Sequence, residues 1–101
     1  MKAYTDLSQS KKLAEILPLE SADLWLDTHE YLSATVKPIP CWSLAALLDV
    51  IPRPSLLHLF NGWRCDTYSE ERTSYQLGVI SDNPIDACYK MILKLKEGNL
   101  L

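Results

Sequence analysis

The dipeptide Asn61-Gly62 constrains the fold of this 101-residue chain most, because it separates two strand-like runs, LLHLF and WRCDTY. Asn-Gly is the strongest short signal for a two-residue type I′ turn, whose central residues both have positive φ. The sequence therefore predicts an antiparallel hairpin at this point. The pairs that this turn predicts are Phe60 with Trp63, His58 with Cys65, and Leu56 with Thr67.

A third strand is predicted from about Ser74 to Ile80, after the polar segment SEERT. A five-residue loop places Tyr75, Leu77 and Val79 on the face of the sheet that carries Cys65. A loop one residue shorter would turn them to the other face, because side chains alternate along a strand. Burial of these three side chains favours the longer loop or a bulge.

The last helix is predicted over 83–97. Asp82-Asn83-Pro84 supplies a cap followed by a proline at the first helical position. Gly98 suits the residue after the helix, where a left-handed conformation is common. The apolar residues that fall on one face are Ile85, Cys88, Met91, Ile92 and Leu95.

Two earlier helices are predicted over 6–17 and 41–51, and each ends before a proline, Pro18 or Pro52. The first begins with a capping box formed by Asp6 and Gln9. The residues expected to point inward are Leu13, Ile16 and Leu17 in the first helix and Leu44, Leu47, Leu48 and Ile51 in the second.

The segment 22–37 has two interpretations. Alternating leucines favour a hairpin that turns at Thr28-His29-Glu30 and pairs Leu26 with Leu32 and Leu24 with Ala34. Alternatively, Ser21 caps a helix over 22–33. The hairpin is favoured because it places all four of these apolar residues on one face.

These elements predict a single α+β domain over 1–101, with about three helices packed on one face of a mostly antiparallel sheet, in the order α-β-β-α-β-β-β-α. The residues predicted to form the core are Leu44, Leu47, Leu48, Trp63, Leu77, Cys88, Ile92 and Leu95.

Composition excludes several classes of protein. Three cysteines are too few for a disulfide scaffold, and no apolar run reaches the roughly 18 residues that a membrane-spanning helix needs. The N-terminus has no pattern of a secretory signal. We therefore expect a cytoplasmic protein with reduced, buried cysteines and no contact with membranes.

Catalytic and metal-binding patterns are missing from the sequence. Only three glycines are present, so a phosphate-binding loop is disfavoured, and no Cys or His pair has the spacing of a zinc site. The one candidate pair is His58 with Cys65, which face each other in the predicted hairpin; a buried histidine beside a buried thiol is the favoured interpretation. The sequence thus predicts no catalytic residues, no cofactor and no metal, and a protein that is not an enzyme.

Charge disfavours nucleic-acid binding, because the net charge is −3. The acidic residues Glu15, Glu20, Asp23, Asp27 and Glu30 are interpreted as a solvated edge rather than a weak cation site. An alternative function, a small regulator that touches nucleic acid, would depend on Lys90, Lys94 and Lys96 late in the last helix.

Three aromatic residues are the candidate interface. Trp25 has the outward parity of its predicted strand, Tyr31 lies opposite it, and Trp42 lies off the leucine stripe of the second helix. Amphipathic aromatic residues are enriched at protein contacts. We therefore expect Trp25 and Tyr31 to contact a protein partner, most simply a second copy in a twofold homodimer.

The segments SDNPIDACYKMILKLKEGNLL, PCWSLAALLDVIP and NGW resemble short proteins encoded in prophages and other mobile elements of gut bacteria of the Bacteroidetes type. The resemblance covers mainly residues 41–101, and its motifs describe helix capping and packing. It implies no activity, ligand or site residue. It favours a small non-catalytic accessory protein of phage or mobile-element origin that acts by protein–protein contact.

Overall fold

Three helices and five strands follow one another in the predicted order in the computed structural model, which describes residues 2–26, 38–68 and 76–101. The elements are α1 (Leu7–Ile16), β1 (Leu24–Leu26), β2 (Ile39–Cys41), α2 (Leu44–Val50), β3 (Pro54–Leu59), β4 (Gly62–Tyr68), β5 (Gln76–Ser81) and α3 (Pro84–Glu97), with a 3-10 turn at Leu19–Ser21. The strands pair antiparallel in two sheets, β1-β2 and β3-β4-β5. The predicted α+β class is confirmed, although the strands form two sheets where one was predicted.

Helix α3 begins as its sequence predicts. The Asn83 side chain accepts a hydrogen bond from the Asp86 amide, and Pro84 is the first helical residue. At the other end the left-handed residue is Asn99, with φ of 54°, and not Gly98. The amide of Leu100 donates to the Leu95 carbonyl across this turn, which is the bond of a Schellman motif. Asparagine tolerates the left-handed conformation, so the left-handed residue falls one position later than predicted, although α3 still ends at Glu97.

Helix α1 has the predicted capping box. The Asp6 side chain accepts from the Gln9 amide, and the Gln9 side chain accepts from the Asp6 amide. The Gln9 side chain also donates to Asp86 at the start of α3, and the Lys2 ammonium lies 2.6 Å from the same carboxylate. Burial alone would raise the pKa of Asp86, but the bonds from Lys2, Gln9 and Asn83 outweigh it and lower that pKa. This network joins the first turns of α1 and α3.

Helix α2 is shorter than predicted. It begins at Leu44, because Ser43 is its cap and accepts a hydrogen bond from the Ala46 amide. Cys41, predicted as the first helical residue, instead belongs to β2. The helix ends at Val50, two residues before Pro52, as the proline predicts.

Strand β1 confirms the strand interpretation for 24–26, and the alternative helix over 22–33 is wrong there. Its partner is β2, with Leu24 opposite Cys41 and Leu26 opposite Ile39. The predicted partners within 32–36 and the predicted turn at 28–30 lie outside the described residues. Strand β2 was not predicted, because Pro38 and Pro40 flank Ile39 and weaken its strand pattern.

The hairpin of β3 and β4 forms, but its register differs from the prediction by two residues. His58 lies opposite Trp63, and Leu56 lies opposite Cys65. The loop is Phe60-Asn61, and neither residue has a positive φ, so the predicted type I′ turn does not form. Because the shift is even, each side chain keeps its predicted face.

Gly62 accounts for the shifted turn. Its φ is +144°, and a Cβ at this position would lie 2.6 Å from the Ser81 carbonyl oxygen of β5. Only glycine permits this approach of β5 to the first residue of β4. A glycine is therefore required at position 62 by the close approach of β5. The local turn pattern does not reveal this approach.

Replacing Gly62 by alanine is expected to destabilise the fold by about 1–3 kcal/mol, because the new methyl group meets backbone at a conformation that alanine rarely adopts. Urea unfolding monitored by circular dichroism measures the change. Gly98→Ala is the matched control, since Gly98 has φ of −87° and its Cβ would lie at an ordinary contact distance of 3.6 Å from the Leu100 side chain. Equal losses in the two variants would contradict the role given to Gly62.

Strand β5 pairs with β4 in a register that has the predicted parity. Thr67 lies opposite Leu77 and Cys65 opposite Val79, which confirms the parity derived from the longer loop. Tyr75 and the SEERT segment lie outside the described residues.

The core is one cluster of buried side chains contributed by the three helices, the segment around Trp42 and β4. Helix α3 packs on β4 and β5, α2 packs on α3, and α1 packs on β2. The predicted core residues that are buried are Leu47, Cys88, Ile92 and Leu95, while Leu44, Leu48 and Trp63 are half-buried against the same cluster. The side chain of Leu77 is not among those described.

Candidate contact surfaces

Trp25 lies where its strand parity predicts. Leu24 pairs with Cys41, whose Sγ accepts a hydrogen bond from Ser10 of α1, so this face of β1-β2 points toward α1. Trp25 has the opposite parity, lies across from Pro40 and is 47% exposed. An indole ring that is half open to water is an uncommon surface feature and a suitable contact residue. Its predicted companion Tyr31 lies outside the described residues.

Trp42 is not a surface residue. Its side chain is fully buried in the core, and its Nε1 donates to the Ser21 Oγ at 3.0 Å. Its amide donates to the Thr5 Oγ1. The prediction that Trp42 is a contact residue is wrong, because it assumed a helix from residue 41, whereas Trp42 directly follows β2.

His58 and Cys65 do not form a pair. In the observed register His58 lies opposite Trp63, and the two rings stack with centroids 4.1 Å apart and planes at 8°. His58 is exposed, whereas Cys65 is buried. The predictions of a buried histidine and of a facing thiol are therefore both wrong. The moved turn accounts for the lost pairing with Cys65, and His58 is exposed although it keeps its predicted face.

The neighbour of Cys65 is another thiol. Its Sγ lies 3.8 Å from the Sγ of Cys88 on α3, and both side chains are fully buried. The hydrogen bond that Cys88 donates to Cys65, together with burial, raises the pKa of the Cys88 thiol. The described cysteines are all free, as the sequence predicts for a reduced protein.

The acidic residue Asp23 has a structural role. Its carboxylate accepts hydrogen bonds from the Ser43 amide at 2.8 Å and from the Ser43 hydroxyl. Burial would raise the pKa of Asp23, but these hydrogen bonds lower it. Asp23 thus ties β1 to the cap of α2. Among the described residues, no group of three or more His, Cys, Asp or Glu side chains is arranged to hold a metal ion.

The lysines of α3 are spread over its exposed side. Lys90 donates to the Ser81 hydroxyl of β5, while Lys94 and Lys96 lie in the last turn. Cations in this position stabilise the negative end of the helix dipole. This electrostatic role accounts for Lys94 and Lys96 without a nucleic-acid ligand.

A second apolar surface lies on the face of β3-β4-β5 that points away from α3, at the end near the β3-β4 turn. Leu57 and Ile80 flank Arg64 in one cross-strand row and are 49% and 47% exposed. Phe60, in the turn, is fully exposed. We name this surface the turn-end patch and define it as Leu57, Leu59, Phe60 and Ile80.

Gly62 lies next to two residues of the turn-end patch. It pairs with Leu59, and its absent Cβ would lie 3.5 Å from the Cγ2 of Ile80. Between Leu57 and Ile80, the Arg64 Nε donates to the Asp66 carboxylate at 2.8 Å. The charge that lies within the patch is therefore paired inside the chain.

The sequence carried one signal for this patch. The run LLHLF places apolar residues on both faces of β3, whereas a strand covered on only one face alternates between apolar and polar residues. Leu57 and Leu59 have the parity opposite to the predicted core face. That excess of apolar residues indicates that the second face of β3 is also suited to burial in a contact.

Comparisons with protein-family models, with curated proteins and with solved structures found no match. No helix in the described part of the chain combines the length and apolarity that a bilayer crossing requires.

Proposed function

We propose that this chain is a non-catalytic accessory protein of the cytoplasm that acts by contacting another protein molecule, in the simplest case a second copy of itself. The observation that carries the proposal is the turn-end patch, which groups the fully exposed Phe60 with the half-exposed Leu57 and Ile80 at one end of the sheet. Exposed apolar side chains grouped in this way are typical of protein contacts. The resemblance to mobile-element proteins, which include small accessory proteins, supports the same class.

Charge permits a second copy as the occupant. The net charge of −3 repels two copies weakly, but the Arg64 and Asp66 charges at the patch are paired within one chain. Two turn-end patches related by a twofold axis can therefore meet without opposing unpaired charges. A contact centred on four side chains is small, so we expect weak, concentration-dependent dimers.

Trp25 marks a second surface through which the proposed contact could form. Its half-exposed indole is a suitable anchor, and Tyr31 remains its predicted companion. Contact through Trp25 and contact through the turn-end patch predict different sensitive variants, so solution mass can separate them.

Light scattering after size exclusion is expected to show a wild-type mass that rises with concentration above that of a monomer. The double variant Leu57→Ser/Phe60→Ser should remain monomeric at the same concentrations, because it removes the centre of the patch. Leu7→Ser is the matched control: Leu7 is 53% exposed, but it lies on α1, which bonds to α3 on the opposite side of the sheet. It should associate like the wild type.

Trp25→Ser completes the test. If this variant alone is monomeric, the contact is formed by β1 and not by the turn-end patch. A wild type that is monomeric at every concentration contradicts self-association and requires a foreign partner. Circular dichroism of each variant verifies that the fold is retained.

A further inference from the structure

Cys65 and Cys88 lie in contact between two elements of the core. Cys65 is on β4, Cys88 is on α3, and these elements pack against each other. Their sulfurs are in contact at 3.8 Å. A disulfide has an S–S distance of about 2.05 Å, so bond formation requires the sulfurs to approach by somewhat less than about 2 Å.

The third cysteine has different surroundings. Cys41 is on β2, where its Sγ accepts from the Ser10 hydroxyl at 3.4 Å and lies 3.8 Å from the Ile39 carbonyl oxygen. It is as buried as the other two and has no thiol neighbour among the described residues. Cys41 is therefore an internal control for any effect of oxidising a buried thiol.

We propose that Cys65 and Cys88 are a redox modification site, at which a small disulfide such as oxidised glutathione converts the two thiols into a disulfide between β4 and α3. One cysteine thiolate attacks a sulfur of the oxidant, forming a mixed disulfide and releasing one glutathione thiolate. The second cysteine thiolate then attacks the protein sulfur of the mixed disulfide and releases the second glutathione. Two protein thiols are oxidised, one oxidised glutathione is reduced, and both thiol protons pass to glutathione.

Burial makes this reaction slow in the folded protein. Both thiols are closed to solvent, and the raised pKa of Cys88 keeps it protonated. The oxidant therefore reaches them when α3 transiently separates from the sheet, and the disulfide then prevents further separation. Oxidation would thus hold in place the helix that supplies half of the core cluster.

The effect on stability follows from the closed loop. The bond joins positions 65 and 88 and encloses β5, so it restricts the unfolded chain. For a loop of this length in a domain of this size, we expect the melting temperature to rise on the order of 10 °C.

Incubation of the full chain with oxidised glutathione, followed by alkylation of free thiols and trypsin digestion without reductant, tests the proposal. Cleavage after Arg64, Arg72 and Lys90 places Cys65 in peptide 65–72 and Cys88 in peptide 73–90. Cys41 lies in a third peptide. We expect an intact mass lower by two hydrogen atoms, a linked 65–72/73–90 peptide pair, and a melting temperature that falls again with dithiothreitol.

Single cysteine variants distinguish oxidation of the Cys65–Cys88 pair from oxidation of Cys41. Cys41→Ala should retain the link and the rise in melting temperature, whereas Cys88→Ala should lose both. A stable glutathione adduct on one cysteine, a link that includes Cys41, or an unchanged mass after prolonged incubation would overturn the proposal. The peptide map of the wild type decides the matter even if Cys88→Ala folds poorly.

Discussion

Replacing Ile92 by aspartate is expected to unfold the protein. Ile92 is fully buried on α3, in the cluster that contacts the three-stranded sheet. A carboxylate there would have to be buried without a partner, which costs several kcal/mol. Natural domains are stable by only about 5–15 kcal/mol, so this loss removes much or all of the stability. Thermal unfolding monitored by circular dichroism measures it.

Lys94→Asp is the control for this variant, because it introduces the same side chain two residues later at an exposed position. It reverses a favourable interaction with the helix dipole and should cost about 1 kcal/mol or less. Equal melting temperatures for the two variants would mean that the packing of α3 on the sheet is wrong.

Replacing Trp42 by alanine is expected to destabilise the fold by about 3–5 kcal/mol, because the indole is fully buried and its loss leaves a large cavity. The variant also leaves Ser21 without the hydrogen bond from the indole Nε1. Trp25→Ala is the matched variant, since Trp25 is half exposed, and it should cost about 1 kcal/mol or less. Urea unfolding of both variants gives the comparison.

Comparison of the two tryptophan variants tests whether Trp42 is the core residue and Trp25 the surface residue. If Trp25→Ala were the more damaging change, Trp25 would belong to the core and Trp42 to the surface, contrary to the structure. The indole fluorescence of each single variant provides a second measurement. Loss of the buried Trp42 should shift the remaining emission of the folded protein to longer wavelength.

Features set by neighbouring residues could be predicted from the sequence. The caps at Asp6 and Asn83 and the stops before Pro18 and Pro52 depend on local hydrogen bonds and backbone sterics, and each occurs as expected. The faces of β3, β4 and β5 were also predictable, because parity survives a register shift of two residues.

Features set by distant contacts could not be predicted. Gly62 appears in the sequence as a turn residue, but the approach of Ser81 from β5 makes it a strand residue. Likewise, β2 pairs with β1 through Ile39-Pro40-Cys41, a segment with little strand pattern of its own. The position of Trp42 depended on that pairing, so its burial was missed.

The two candidate contact surfaces also differ in how far they could be predicted from the sequence. The outward parity of Trp25 could be inferred from the alternating leucines of its strand, and the structure leaves this residue half exposed. The turn-end patch required the register of three strands, because Ile80 and Leu57 share a row only through Arg64 of β4. Its sequence signal, apolar residues on both faces of β3, does not reveal which face the helices cover.

Amide spectra of the ¹⁵N-labelled wild-type chain, recorded over a dilution series, test the central claim most directly. If two copies meet through the turn-end patch, the amides of Leu57, Leu59, Phe60 and Ile80 should shift with concentration, while those of the buried side of α3 remain fixed. Spectra that do not change with concentration, or changes confined to α3, would contradict contact between copies through this face of the sheet.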